Sequence, residues 1–250
     1  MADAHTIDVT YLLNSGFLVR VDNVLLIFDD FDDPAGVVPQ AIEKGGYTKV
    51  YFLSSHAHFD HFSPHIAQFA AEATRYILSE DIRNVPGAAR IPRDKVVWMP
   101  IYDVWHDDTI AVTSFSSTDE GTSFLVETRG RRIFHAGDFN WWDWIGDTAE
   151  NRKLAENGFR KQMKRLKGLS FDLAFFPVDG RLETSMDRGA KEFCAETYPD
   201  ALVTMHSVGY PVWRPPAAKS SSCVPRSVMR PASTTRIWSA SRISGETQSF

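Results

Sequence analysis

"LSSHAHFDHFS", Leu53 to Ser63, places His56, His58, Asp60 and His61 within six residues, directly after the apolar run "KVYFLSS" (Lys49 to Ser55). The run reads as a buried strand, central in its sheet. The cluster therefore sits on the loop that leaves the strand. Imidazole nitrogen and carboxylate oxygen are both ready ligands for zinc, and a catalytic zinc site keeps a position for water. Two histidines at i, i+2 on an extended loop can point their rings to one side. Asp60 and His61 follow after a turn, where they can face a second ion a few ångströms away. Four such residues on one loop supply much of a coordination sphere. The remainder has to come from elsewhere in the chain.

The rest of the chain reads as strands interleaved with single helices. Ile7–Leu13, Gly16–Val21 and Val24–Phe28 form a meander with turns at Asn14-Ser15 and Asp22-Asn23. A short helix follows from Val37 and ends at Gly45-Gly46. Pro64 opens a helix to about Ala73, with Ser63 as its N-cap. Further strands are "RYILS", Ile110–Ser117, Thr122–Thr128 and Arg131–Gly137, then "FDLAFFPV" and "ALVTMH". Helices run from about Thr148 to Leu166 and over "DRGAKEFCAET". Strand meanders with single helices imply an α/β (α+β) fold in which helices cover the outer faces of sheets.

At 250 residues, with 43% hydrophobic composition, one domain with a sizeable core is expected. The net charge of -5 divides unevenly. Pro211 to Phe250 carries +5 and the first 210 residues carry -10. An acidic body argues against a nucleic-acid backbone or an anionic membrane as partner. The two cysteines, Cys194 and Cys223, make no disulfide framework. The N-terminus lacks the basic and apolar regions of a signal peptide, and no run approaches the roughly 20 apolar residues of a membrane span. The expectation is a cytoplasmic protein acting on a small molecule; the sequence leaves oligomeric state open. Residues 211–250 are rich in Ser, Pro and Arg and read as a disordered basic tail, which puts the domain at 1–210.

Three motifs carry a family resemblance. "SHAHFDH" resembles the HxHxDH signature of the metallo-β-lactamase fold superfamily. "IFHAGDFNWW" is similar to the family's later strand ending in Gly-Asp, and "LVTMHSVG" to its final strand ending in a histidine. "FFPVDGRLETSMDRGAKEF" and the opening hairpins resemble the lactonase-like and uncharacterised hydrolase branch. The resemblance spans roughly Thr6 to Val208. It implies a four-layer αββα sandwich with zinc, as one or two ions, at one edge. Site one would take His56 and His58, site two Asp60, His61 and His206, and Asp138 would bridge them. It further implies a hydrolase that uses a metal-bound hydroxide on an ester, lactone or phosphoester, with Asp60 orienting the nucleophile or taking its proton. The alternatives are a glyoxalase-like thioester hydrolase and a degenerate metal-binding domain without turnover.

The sequence departs from the family where a third site-one histidine belongs. There it reads "SFSSTDEGTSF". Ser116 and Ser117 fall closest to the expected position, but neutral serine is a poor ligand. Thr118, Asp119 and Glu120 follow, and Asp119 is the better ligand chemically if the loop turns it inward. A carboxylate there would suit harder ions, Mn2+ or Fe2+. Trp141, Trp142 and Trp144 are candidates for a pocket wall, with core packing as the alternative. Arg181 is a candidate anion clamp, with an ordinary ion pair as the alternative, and together these residues would suit a small anionic substrate. His135 reads as a packing residue or a support for a ligand, His65 as a surface or supporting residue, and His106 as part of a polar turn. Asn14 either faces the site or serves its turn.

Overall fold

The structure, a computed structural model, describes residues 5–207, 236–239 and 245–250. The strands are β1 (Ile7–Tyr11), β2 (Phe17–Val21), β3 (Val24–Phe28), β4 (Lys49–Ser54), β5 (Arg75–Ser79), β6 (Val96–Met99), β7 (Val104–His106), β8 (Ile110–Ser116), β9 (Thr122–Thr128), β10 (Arg131–His135), β11 (Ser170–Phe171), β12 (Leu173–Pro177), β13 (Tyr198–Pro199), β14 (Ala201–Met205), β15 (Arg236–Ser239) and β16 (Thr247–Ser249). The helices are α1 (Val37–Lys44), α2 (Ala149–Leu166) and α3 (Arg188–Glu196). One sheet runs β16-β1-β2-β3-β4-β5-β6 and the other β15-β14-β12-β10-β9-β8-β7, with β11 and β13 a small separate pair.

The period of two along each strand sorts the core into layers. On β3, Leu26 and Phe28 face the second sheet, while Leu25 and Ile27 face outward with Val50 and Phe52 of β4. That outer face is covered by Val38 of α1 and by Ile66 and Phe69. On the second sheet, Phe134 and Phe176 meet Phe193 of α3, and Phe159 of α2 stacks on Phe139 at 5.0 Å. Helix, sheet, sheet, helix is the four-layer order expected of the sequence.

Two local features depart from the sequence reading. The segment after Pro64 is a 3-10 helix of six residues, Pro64–Phe69, not a helix to Ala73. The chain must turn back early because Thr74 N–H donates to Val50 O at 2.7 Å to enter β5. His106 ends strand β7 instead of lying in a turn. Residues 208–235 and 240–244 lie outside the described residues, and most of the stretch expected to be a disordered tail lies there with them. The described parts of that stretch join the sheets. β15 pairs parallel with β14, and β16 pairs antiparallel with β1. Both lie at sheet edges, where unpaired backbone groups accept an extended segment with little regard to side chains. Among the described residues, no helix is long and apolar enough to cross a membrane.

What positions the site is strand direction. β3, β4 and β5 run parallel in one sheet, and β10, β12 and β14 run parallel in the other. The residues leaving β3, β4, β10, β12 and β14 are Asp29, His56, Asp138, Asp179 and His206, each within three positions of its strand end. The carboxyl ends of both parallel sets open at one edge of the sandwich.

Candidate metal centre

Two groups of donor atoms converge at that edge. His56, His58, Asp119 and Asp138 form one, and Asp60, His61 and His206 form the other; within each group the atoms lie within 4.8 Å of one another. Asp138 stands between the groups. Its Oδ1 is 3.1 Å from His61 Nε2, and its Oδ2 is 3.4 Å from His206 Nε2 and 3.7 Å from His56 Nε2. All six residues of the sequence-derived ligand set are thus brought together, and Asp119 with them.

Each buried ring is oriented from behind. Asp29 Oδ2 accepts from His61 Nδ1 at 2.7 Å, and Asp179 Oδ2 accepts from His206 Nδ1 at 2.9 Å. A carboxylate can only accept, so each Nδ1 carries a proton and each Nε2 is turned towards the donor cluster. The hydroxyl of Ser55 gives its one proton to Asp29 Oδ2 at 2.8 Å and so accepts from His56 Nδ1 at 3.0 Å. His56 Nε2 is then left facing His58 Nδ1 at 3.0 Å. Asn14 belongs to the same construction. It has a left-handed backbone (φ 54°), donates from Nδ2 to Asp60 Oδ2 at 3.1 Å, and its carbonyl accepts the His206 N–H at 3.2 Å.

The donor set fits a cation. His61 Nε2 and Asp138 Oδ1 are buried 3.1 Å apart yet make no hydrogen bond of good geometry, although buried polar atoms nearly always do. Burial by itself lowers the basicity of His61, but Asp138 and Asp29 outweigh it and raise its pKa well above the usual range. His206 is raised to about 9: burial opposes the shift, and Asp138 and Asp179 outweigh it. Burial would raise Asp138, yet His61 and His206 hold it well below the carboxylate range. His56, with burial and His61 against its charge, is pushed down to about 3. Protons on His61 and His206 thus occupy positions that a metal ion would take.

The remaining candidates fall in different places. Trp142 borders the site: its ring lies 5.7 Å from that of His206, and its Nε1 donates to Asp138 O at 3.0 Å. Trp144 stacks on Trp142 at 6.0 Å. Trp141 is a core residue, 8% exposed, stacked on Phe159 and covered by the guanidinium groups of Arg160 and Arg188. Arg181 lies at the site but is paired with Asp179, with Nε at 2.8 Å and Nη2 at 2.5 Å from Oδ2. His135 is a packing residue: its ring stacks on Phe28 at 5.0 Å, and its Nε2 donates to Ser15 O at 2.9 Å. His65 pairs with Asp30 at 3.2 Å.

A cleft of about 430 Å³ opens over the second donor group. Asn14, Asp60, Asp179, Arg181 and His206 supply its polar lining, and Leu13, Phe31 and Phe59 its apolar wall. Phe59 is 85% exposed although it lies between two donors of the loop. Sequence reasoning passed over Asp29, Asp179 and the apolar wall. The available signal was an acid leaving each of two buried strands, in "LLIFDD" and "FFPVD".

No protein-family profile matches the chain. It is 26% identical over 144 residues to a UPF0173 metal-dependent hydrolase of Thermus thermophilus, a match that covers 53% of this chain and 61% of the relative. The chain therefore spans about three fifths of the length of that relative. A metallo hydrolase from Ignicoccus hospitalis superposes with TM-score 0.60 at 17% identity, covering 98% of both chains. A metallo-β-lactamase fold protein from Bacillus subtilis superposes with TM-score 0.57 at 11% identity, covering 99% of this chain and 100% of that one. With two sheets back to back, helices on both outer faces and the HxHxDH loop at the edge where the parallel strands end, the chain has the metallo-β-lactamase fold.

Proposed function

We propose that this protein is a metal-dependent hydrolase of an ester, lactone or phosphoester. The observation that carries the reading is the buried contact of His61 Nε2 with Asp138 Oδ1, without a well-formed hydrogen bond, at the meeting point of donors from both sheets. The metal-dependent hydrolase of Thermus thermophilus supports it. In this reading Asp60, His61 and His206 would hold one ion, His56 and His58 would hold a second, and Asp138 would serve both. When bound, such ions supply Lewis acidity and bring the pKa of water down to roughly 7.

The protein's own residues then have distinct tasks. Asp29, Asp179 and Ser55 fix which nitrogen of each histidine faces inward. Asp60 is steadied by Asn14 on one oxygen and borders the cleft, so it can take the proton of the attacking water. Phe31 and Phe59 offer an apolar wall to the part of the substrate that does not react. The anionic character expected of the substrate rested on Arg181, whose charge is already matched by Asp179.

The test is elemental analysis of protein purified without chelator, followed by lactone, phosphodiester and thioester substrates. Near two equivalents of metal with turnover of a lactone or phosphodiester supports the proposal. Turnover of the thioester alone moves the reading to a glyoxalase-like enzyme. Metal without turnover of any substrate moves it to a binding domain. No metal after reconstitution with zinc, manganese and iron overturns it.

A further inference from the structure

The missing third histidine poses a question the fold answers in an unexpected way. The loop where it belongs, 117–121, is pinned from three sides. Thr118 Oγ1 donates to Asn140 O at 2.6 Å and accepts from Asn140 N at 2.9 Å, which ties the loop to the segment just after Asp138. Thr122 N donates to Ser55 O at 2.9 Å, which ties it to the residue before His56. Gly121 makes the close approach: it has φ 65°, and a Cβ there would lie 2.3 Å from Ser55 O and 2.5 Å from His56 Cβ. A residue other than glycine would push the loop off the histidine strand. Held this way, Asp119 turns inward, with Oδ2 3.6 Å from His58 Nδ1. That nitrogen also faces His56 Nε2. Glu120 reaches the other nitrogen, Nε2, at 3.6 Å, so it sits outside the cluster.

We infer that Asp119 is a metal ligand in place of the third histidine, giving a two-histidine, two-carboxylate outer site (His56, His58, Asp119, Asp138) that is more readily exchanged than the inner site. The inference rests on the metal-dependent reading above. With Asp119, half the outer donors are carboxylates, as in the inner set of Asp60, His61, His206 and Asp138, which shifts the outer site's preference towards Mn2+ and Fe2+ relative to a site with a third histidine. Exposure sets the two sites apart. His58 and Asp119 are each 41% exposed in their side chains, whereas of the inner ligands Asp60 is 29% exposed and His61 and His206 are buried. Water can reach and replace the outer ligands first.

The experiment is Mn2+ and Zn2+ titration of the full-length apoprotein by calorimetry, with electron paramagnetic resonance of the manganese form. It uses the wild type, Asp119→Ala, Asp119→His and Glu120→Ala. The wild type is expected to bind two Mn2+ with unequal affinities and to show a spin-coupled signal. Removing a direct ligand should cost at least the upper end of what outer partners cost, so Asp119→Ala weakens one site by about 100-fold or more and abolishes the coupled signal. Asp119→His should retain both ions and raise the Zn2+-over-Mn2+ preference of that site on the order of tenfold. Glu120→Ala keeps two equivalents. Two unchanged sites in Asp119→Ala, or an unchanged metal preference in Asp119→His, would overturn the inference and leave the metal-dependent reading standing. A wild type that binds no ion overturns both.

Discussion

Replacing Asp29 by Asn tests how far the centre depends on a residue that need not touch the ion. The Asp29 carboxylate accepts three hydrogen bonds: Ser55 N at 2.7 Å on Oδ1, and Ser55 Oγ at 2.8 Å and His61 Nδ1 at 2.7 Å on Oδ2. Asparagine can keep the first through its carbonyl. Its NH2 group then faces the His61 Nδ1 proton, donor against donor. The imidazole relieves this by carrying its proton on Nε2, the nitrogen that points at Asp138. Such outer partners are worth about 10–100-fold in metal affinity, which corresponds to about 1.4–2.7 kcal/mol. In the apoprotein a mismatched buried donor costs about 1–3 kcal/mol of stability. Chelator competition gives the first quantity and denaturant unfolding with EDTA gives the second. Wild-type affinity in Asp29→Asn, with the protein folded, would refute the claim that Asp29 sets the His61 tautomer.

Four further outcomes follow from the same geometry. Metal uptake at pH 7 should release about two protons, from His61 and His206, seen as a dependence of calorimetric heat on buffer ionisation enthalpy; no such dependence contradicts the charged apo cluster. Because the pKa of His206 is raised on folding, its contribution to apoprotein stability is full below pH 6.5 and is lost as pH rises through about 9, which melting temperatures across that range will show. Asp143, held by Arg152 at 2.6 Å, by Ser185 and by Arg188, has its pKa lowered to about 2; Asp143→Ala should cost about 1–3 kcal/mol above pH 4 and progressively less as pH falls towards 2. Gly121→Ala should cost at least about 1–3 kcal/mol from the strained φ alone and weaken the outer ion as Asp119 is displaced; wild-type unfolding and metal binding would remove the loop from the argument.

Sheets covered by helices were legible from the sequence because alternating apolar positions follow a short-range grammar, and the four-layer order came from the family resemblance. His56, His58, Asp60 and His61 announce themselves by spacing, and Asp138 and His206 by the resemblance of "IFHAGDFNWW" and "LVTMHSVG" to the family's later strands. Asp29 and Asp179 also follow buried strands, but no motif resemblance singles them out. What brings them behind His61 and His206 is the register of parallel neighbours, Phe28 beside Leu53 and Pro177 beside Met205, which no single segment encodes. Arg181 and Trp141 show the converse. Their chemistry suits a binding site, but an arginine two residues from Asp179 pairs with it, and the ring of Trp141 is taken up by Phe159. Side-chain type states what a residue is able to do; only packing states whether it is already engaged. The strands β15 and β16 escaped notice for a related reason, since edge pairing uses backbone and leaves little trace in composition.

The placement of the donors at strand ends of both sheets has a consequence for the order of synthesis. The loop His56 to His61 leaves the ribosome first, and His206 follows roughly 145 residues later, an interval of about 7–30 s at ordinary elongation rates. For about the first half of that time the nascent chain displays three histidines and an aspartate without Asp138, and for all of it without His206 to finish the cage. Whichever ion reaches the loop in that window meets an incomplete cradle and can still leave. Only when β14 docks beside β12 does the last nitrogen arrive, so the docking of one strand and the closing of the inner donor set become a single event.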